Sequence, residues 1–466
     1  MTRIRSLSLA CASALIVSAA VSGARPHYTG TLRMAIETTA RAIDPFGVVD
    51  TTMARQVYPL VFETLLAVNP SGGLRPMLAT SWASDAAGWH IRLRRGVRLH
   101  DGSLLDAAAV AAVLRTRFPE WRITTADDEL TIADGGVPAD VPWALAHRGS
   151  VIAVRQASGA WVGTGPFRVD RLEPGRLTLA AHTAHWSGRP FLDAIEVDLG
   201  RSRAAQLADL ELGRLDLASL QPADVRRAEQ RQRRSWTSKP LDLIALVFEP
   251  HRAADGGAPL RRTVAASFDR RAIARVVAQG QAEPATAVLP AWIGGYTLPE
   301  TSGPVLTRSA VAALAADQRT VVVRVPAGDA VSRAIADRLA VDAQQAGFSI
   351  IVQVPTGGLA PRADARLVRV PVDVTSPDRA LAGVIAALGP RSQISGLSPR
   401  PGTAVEEVAR IEAALAERRV LVPIVHLPEI AASAARVEDW AGPLILPDGT
   451  WDLANVWLRA AETAPR

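Results

Sequence analysis

The sequence predicts an α/β protein built from more than one domain, and three observations carry that reading. At 466 residues the chain exceeds what a single core ordinarily organises. Thr320 to Val325, an amphipathic stretch from Val331 to Gln345, the stop residue Gly347 and the apolar run Phe348 to Val354 read as one β-α-β unit. Leu241 to Phe248 is almost continuously apolar, the pattern of a strand covered on both faces.

The elements follow in order. Gly30 to Ile36 reads as a short strand, and Ile43-Asp44-Pro45 as a turn. Met53 to Val68 has helical apolar spacing at Val57, Leu60, Val61, Thr64 and Leu65. Trp89 to Arg94 alternates as a half-buried strand does, and His100-Asp101-Gly102 is a tight turn. Asp106 then caps a helix running through Leu114. A strand at Glu129 to Ile132 and a helix around Trp143 to Ala146 come next. Gly163-Thr164-Gly165-Pro166-Phe167 is a rigid crossing point; it lacks the remainder of any phosphate-binding glycine fingerprint, and Pro166 removes a donor amide. Two strands ending near Val197 follow, then a helix from Ala204 to Leu212 closed by Gly213, and a brief strand at Leu215 to Ala218. Beyond Phe248, Pro259 and Asp269 each start a helix. Residues 367 to 372, helices to Leu388 and over Val405 to Glu417, and a strand near Val422 to His426 complete the pattern.

Composition excludes several function classes. The chain is 48% apolar and 21% charged with a formal charge of +6, and Lys239 is its single lysine. The densest basic patch, Arg226, Arg227, Arg231, Arg233 and Arg234, reads as a solvated helix face and has no aromatic platform beyond Trp236, so no nucleic-acid partner is expected. Arg3 and Arg5, the apolar stretch from Leu7 to Val21 and Ser22-Gly23-Ala24 together look like a signal peptide over residues 1–24. Cys11 lies inside that apolar stretch, which favours soluble export over lipid anchoring. A processed chain would hold no cysteine, hence neither disulfide nor thiol nucleophile. His100-Asp101 sit side by side on a turn and cannot face each other as a base and its orienter. His182 and His185 lack a third ligand nearby in sequence, so no metal site is expected. Neither Gly-x-Ser-x-Gly, His-Glu-x-x-His nor a P-loop occurs, and no cofactor or enzymatic activity is expected.

At this point the chain resembles family 5 of the bacterial extracellular solute-binding proteins, the peptide- and nickel-binding group. Leu32-Arg33-Met34-Ala35 with Ile43-Asp44-Pro45 looks like the family's opening strand and turn. Val61 to Leu65, Pro76 to Trp82, and above all Ile91 to Gly102 with Leu105-Asp106-Ala107 and Val110 are similar to its signature stretches. Gly163 to Phe167, Gly213-Arg214-Leu215-Asp216, Pro259 to Val264 with Phe268 to Ile273, Leu289-Pro290 and Asn455 to Leu458 fit in the same order.

The resemblance implies a two-lobed periplasmic-binding-protein-like (type II) α/β fold with an extra subdomain in lobe I. Lobe I would comprise residues 25–50, 165–240 and 435–466, the inserted subdomain 51–164, and lobe II 241–434. It further implies a monomeric, non-catalytic periplasmic protein of an ABC importer. Such a protein captures a small solute, a peptide foremost, and hands it to permease subunits in the inner membrane; a metal chelate, haem, an opine or a sugar-like solute is the alternative cargo. In peptide-binding relatives an Asp holds the ligand's α-ammonium group. Asp373, in Val370 to Pro377, stands at that place, with Val370 where the family has Trp and Ser376 where it has a second Asp. Asp373 is either that anchor or a solvent-facing carboxylate. Glu37 and Thr38, just after the first strand, stand where relatives also touch ligand.

Overall fold

The computed structural model describes residues 27–47, 51–69, 73–133, 141–297, 311, 314–315, 318–355, 362–374, 376–389, 394–439 and 442–459. The signal-peptide expectation for residues 1–24 lies outside them. The backbone of the fold is one mixed sheet of eleven strands. In chain order these are β1 (Thr31–Ala35), β2 (Phe167–Glu173), β3 (Arg176–Ala181), β4 (Ala194–Asp198), β5 (Leu217–Ser219) and β6 (Arg234–Phe248). They continue with β7 (Glu283–Pro284), β8 (Thr320–Arg324), β9 (Ser349–Gln353), β10 (Ala365–Pro371) and β11 (Leu421–Ser433). Their spatial order is β2-β3-β4-β1-β5-β11-β6-β10-β8-β9, with β7 paired to β11.

β6 and β11 are the longest strands of this sheet. β6 pairs with β11 first over 234–237 against 430–433, and again over 242–247 against 421–427. Between these ladders the register shifts twice, and Pro240 stands opposite Pro428. Proline has no N–H to give a ladder, so the hydrogen bonding is interrupted at this one level. Leu243, Ala245 and Val247 of β6 pack on one side with Leu381, Val384, Ile385 and Leu415. Ile244, Leu246 and Phe248 pack on the other with Val321, Val323, Ile335 and Leu339. Alternation thus explains the unbroken apolar run: both faces of β6 are covered. The far end of β11, at Ile430 to Ala432, joins the core of Leu32, Met34, Ile195, Val197, Leu217 and Trp451 instead.

The β-α-β expectation holds closely. β8 and β9 pair in parallel from Thr320↔Ser349 to Arg324↔Gln353. The helix between them spans Ala330–Ala346, capped by Asp329 through Ser332 N and ended by Gly347 at φ 97°. A separate four-stranded sheet, ordered 79–85, 88–93, 129–133, 122–126, is covered by the helix Ala107–Arg117. Its core unites Leu65, Ile91, Val110, Leu114, Leu130, Ile132 and Leu145.

Three expectations change. The helix predicted over Met53 to Val68 ends at Val61, as two short helices Thr51–Gln56 and Tyr58–Val61. Leu66–Val68 instead forms a hairpin with Leu74–Pro76. Pro59 removes a helical donor, and Glu63 is drawn into tertiary hydrogen bonds that helical geometry would not permit. The strand expected from Leu241 begins at Arg234, because Arg234 to Thr237 find partners on β11. The basic patch is only partly helical: the helix is Val225–Gln230, and Arg234 lies in β6 stacked on Trp236 at 3.8 Å.

Candidate functional site

A cavity of about 520 Å³ is lined by residues from several segments of the chain, from Pro45 to Asn455. One wall comes from the short helices and their exit, with Tyr58, Phe62, Glu63 and Thr64, joined by Trp186. The C-terminal segment adds Asp448, Thr450, Trp451 and Asp452, and the subdomain adds Arg75, Arg117, His147 and Arg148. Lobe II reaches in with Pro371 and Asp373, immediately after β10.

Glu63 organises the first wall. Its carboxylate accepts hydrogen bonds from Thr164 Oγ1 (2.8 Å) and from Trp186 Nε1 (3.0 and 2.9 Å), and it meets His185 Nε2 at 3.1 Å. Glu63, Thr164 and His185 are all buried, so this is a satisfied polar cluster rather than a strained one. Arg94 covers the Trp186 ring at 4.1 Å. The glycines of Gly163-Thr164-Gly165 serve close approach: a Cβ at Gly163 would stand 2.1 Å from Val61 O, and one at Gly165 2.6 Å from Leu60 O. The crossing point is therefore held by backbone against backbone.

His100, His182 and His185 form an edge-to-face ring cluster, with His100 and His182 centroids 5.0 Å apart at 89° and the His182 and His185 side chains buried. His100 Nε2 and His182 Nδ1 each hydrogen-bond Gly165 O, at 3.0 and 3.1 Å. Burial holds the His100 ring down at about 4 and lowers His182 as well. Asp101 turns away and accepts from Ser103 N at 3.0 Å, an Asx turn. Among the described residues no group of three His, Cys, Asp or Glu side chains is placed to hold a metal ion.

Asp373 faces the cavity and spans it. Its Oδ2 lies 3.3 Å from Nε2 of His147, which belongs to the opposite side of the cleft. His147 Nδ1 accepts from Gly149 N at 3.0 Å, so a neutral ring carries its proton on Nε2 and donates to Asp373. Asp373 keeps 48% of its side-chain surface accessible, and that surface opens on the cavity. Burial in the cleft raises its carboxyl, but the His147 hydrogen bond and the charges of Arg148 and Arg55 outweigh that and hold it at about 2. Asp373 is thus ionised and available at neutral pH.

Glu37 and Thr38 are placed elsewhere. Glu37 pairs with Arg203, Oε2 to Nε at 3.1 Å, and accepts from Arg203 N at the start of the helix Arg203–Glu211. Thr38 supplies a carbonyl to Gly200 N at 3.0 Å. Neither lines the cavity. Conversely, Arg117, His147, Arg148 and Trp451 line it and carried no signal in the sequence, since nothing local links position 147 to position 373.

Behind the cavity, at the lobe crossing, sits a buried charge network. Arg55 Nη1 is 2.8 Å from Asp242 Oδ1 and 3.9 Å from Glu429 Oε2. Arg369 Nη2 is 2.7 Å from Asp242 Oδ2. Gln56 Nε2 donates to Ser219 Oγ at 3.0 Å and to Glu429 Oε1 at 2.9 Å. The helix Thr51–Gln56, β5, β6, β10 and β11 are therefore joined at one point.

Residues 145–370 match the family model for bacterial extracellular solute-binding proteins, family 5 Middle. The peptide transport periplasmic protein SapA of Salmonella typhimurium is 26% identical over 296 residues, which span 52% of this chain and 53% of that protein. The chain thus matches about half the length of this curated relative. Among solved structures, a dipeptide-binding protein from Pseudoalteromonas sp. SM9913 in complex with Met-Leu superposes with TM-score 0.77 at 15% identity, covering 92% of this chain and 100% of that one. NikA from Staphylococcus aureus in complex with Ni(L-His)2 gives TM-score 0.75 at 18% identity, covering 92% and 100%. At such identities these likenesses speak for the two-lobed fold.

Proposed function

We propose that the chain is a family 5 bacterial extracellular solute-binding protein, whose model matches residues 145–370, and that it captures a small solute, a short peptide foremost, between its lobes and delivers it to an ABC permease. The observation that carries this reading is the cavity of about 520 Å³ between the lobes, with the ionised Asp373 of lobe II at its wall. A carboxylate held ionised in a cleft is suited to an ammonium group, and Asp373 is the proposed anchor for one. Tyr58 and Trp186 offer apolar surface for side chains. Ligand contacts made to both lobes at once favour the closed arrangement over an open one, which is the property a permease would recognise. No helix among the described residues is long and apolar enough to cross a membrane, and a periplasmic location is part of the proposal.

A chelated metal is the second reading, favoured by the likeness to NikA. Native mass spectrometry of protein freshly purified from the periplasm of an expression host separates the two. A co-purified adduct of peptide mass supports the first and a metal isotope pattern the second. A chain that carries no adduct and takes up none from a di- and tripeptide pool contradicts peptide capture.

A further inference from the structure

We propose that a second cavity, beside the crossing point at Gly163 to Phe167, binds a small zwitterion with an apolar side chain, either a free amino acid or a dipeptide. This cavity, of about 510 Å³, shares no lining residue with the one that holds Asp373, so the inference is independent of the capture reading. One side is the turn at His100-Asp101 together with the hairpin of Val154–Arg155 and Trp161–Val162. The other is the segment Ala42 to Asp44 with Arg168, Val169 and Leu172 of β2. Both turns stood out in the sequence, and the fold brings them to one concave surface.

The lining is partly apolar and partly charged, with both signs present. Ile43, Trp161, Val169 and Leu172 are half-buried against the core of Leu32, Met34 and Trp451. Trp161 is fixed by an edge contact from Phe46, with ring centroids 5.0 Å apart at 73°, and by Arg155, whose guanidinium lies 5.6 Å from the indole. Asp101 Oδ1 accepts from Ser103 Oγ at 2.6 Å, and its Oδ2 from Gln156 Nε2 at 3.2 Å. The Ser103 hydroxyl and amide hold the Asp101 carboxyl below the usual carboxylate range, so it is charged at neutral pH. Arg168 pairs with Asp170 at 3.5 Å, an exposed pair that contributes little and yields to a better-placed carboxylate. His100 is kept neutral by burial and adds no charge. The charges of the cavity therefore balance, Asp44 and Asp101 against Arg155 and Arg168. A cation would meet the arginines and an anion the aspartates. A molecule with one charge of each sign satisfies both sets, and its side chain covers the surface of Trp161 and Leu172.

The test is isothermal titration of the purified full chain with L-leucine, with Leu-Leu, and with N-acetyl-L-leucinamide, which keeps the side chain and lacks both charges. It is run on the wild type and on Asp373→Asn, whose substitution lies in the other cavity. Leucine or Leu-Leu should bind Asp373→Asn saturably with a Kd below about 1 mM, and the blocked compound at least about tenfold more weakly. Either zwitterion supports the site, and the tighter of the two in Asp373→Asn names its source. Asp101→Asn and Arg168→Gln, made in the Asp373→Asn background, should each weaken that binding about tenfold, with melting temperatures confirming that the variants fold. Binding that disappears in folded Asp373→Asn places the zwitterion in the other cavity and overturns the second site. Equal affinity for the blocked compound overturns the zwitterion chemistry. Affinity unchanged by both Asp101→Asn and Arg168→Gln overturns the assignment to this cavity, and an absence of saturable binding by either zwitterion overturns the inference outright.

Discussion

Glu63 shows how single side chains shape the cleft. It lies in a stretch whose apolar spacing suggested helix, yet its carboxylate joins Thr164, His185 and Trp186 from two distant segments. Glu63→Ala would leave a buried hydroxyl, an imidazole and an indole N–H without their acceptor. The expected loss is about 2–4 kcal/mol of unfolding free energy, measured by urea denaturation with the far-UV signal. A loss under 0.5 kcal/mol would contradict the hub role. Residue-scale features were legible where the cause is local. The turn at His100-Asp101-Gly102 and the rigid Gly163-Thr164-Gly165 follow from backbone chemistry, and each is found. Asp373 was singled out by its place in a motif, and it does face the cavity. Glu37 was singled out in the same way, but its carboxylate is taken by Arg203, a partner 166 positions away. His147 could not be found from spacing, because its meeting with Asp373, 226 positions away, exists only in the folded chain.

At the scale of elements, β6 and β11 join the two ends of the sheet. Each is a continuous strand, interrupted in its pairing at Pro240 and Pro428 and braced beside that level by Arg55, Asp242, Arg369 and Glu429. Burial raises the Asp242 carboxyl, yet the charges of Arg55 and Arg369 overcome it and hold the group well below the usual carboxylate range. A depressed folded value stabilises the fold above the ordinary carboxylate pKa, and that contribution is lost as the pH falls below about 4. Asp242→Asn should cost about 3–5 kcal/mol at pH 7 and much less at pH 3, as read by urea denaturation at both values. An equal cost at both would show that the network's charge is not what stabilises it. Glu412, buried on the helix Val405–Arg418, behaves in the opposite sense. Burial pushes its carboxyl up to about 7, against the hydrogen bonds from Leu289 N and Tyr296 Oη at 2.8 Å each. A raised carboxyl costs stability as the pH climbs from the unfolded value of about 4.3 through the folded one. The stability of Glu412→Gln relative to wild type should therefore rise between pH 5 and pH 8, by roughly 3 kcal/mol at most. A difference independent of pH would contradict this. Most strands and helices were legible from periodicity and caps. The exceptions were the 53–68 segment, where tertiary hydrogen bonds override local spacing, and the first residues of β6, where polar residues form a strand because β11 lies beside them.

At the scale of the whole molecule, the two lobes were legible only through the order of many short motifs. The β-α-β unit established parallel packing in the second half by itself. It gave no indication that one sheet continues across both lobes, because that depends on strands 421–433 and 234–248 pairing over nearly two hundred positions. The structure places His147 and Asp373 in contact at the cavity. A solute that enters must replace that contact with its own, so affinity and closure belong to one equilibrium. The central claim is that this cleft captures one small solute per chain through Asp373. It is tested most directly by isothermal titration of a di- and tripeptide pool into the purified wild-type chain and into Asp373→Asn. Saturable binding near one ligand per chain, weakened at least about tenfold by the substitution, is the predicted result. Binding of equal strength to both proteins, or to neither, would contradict it.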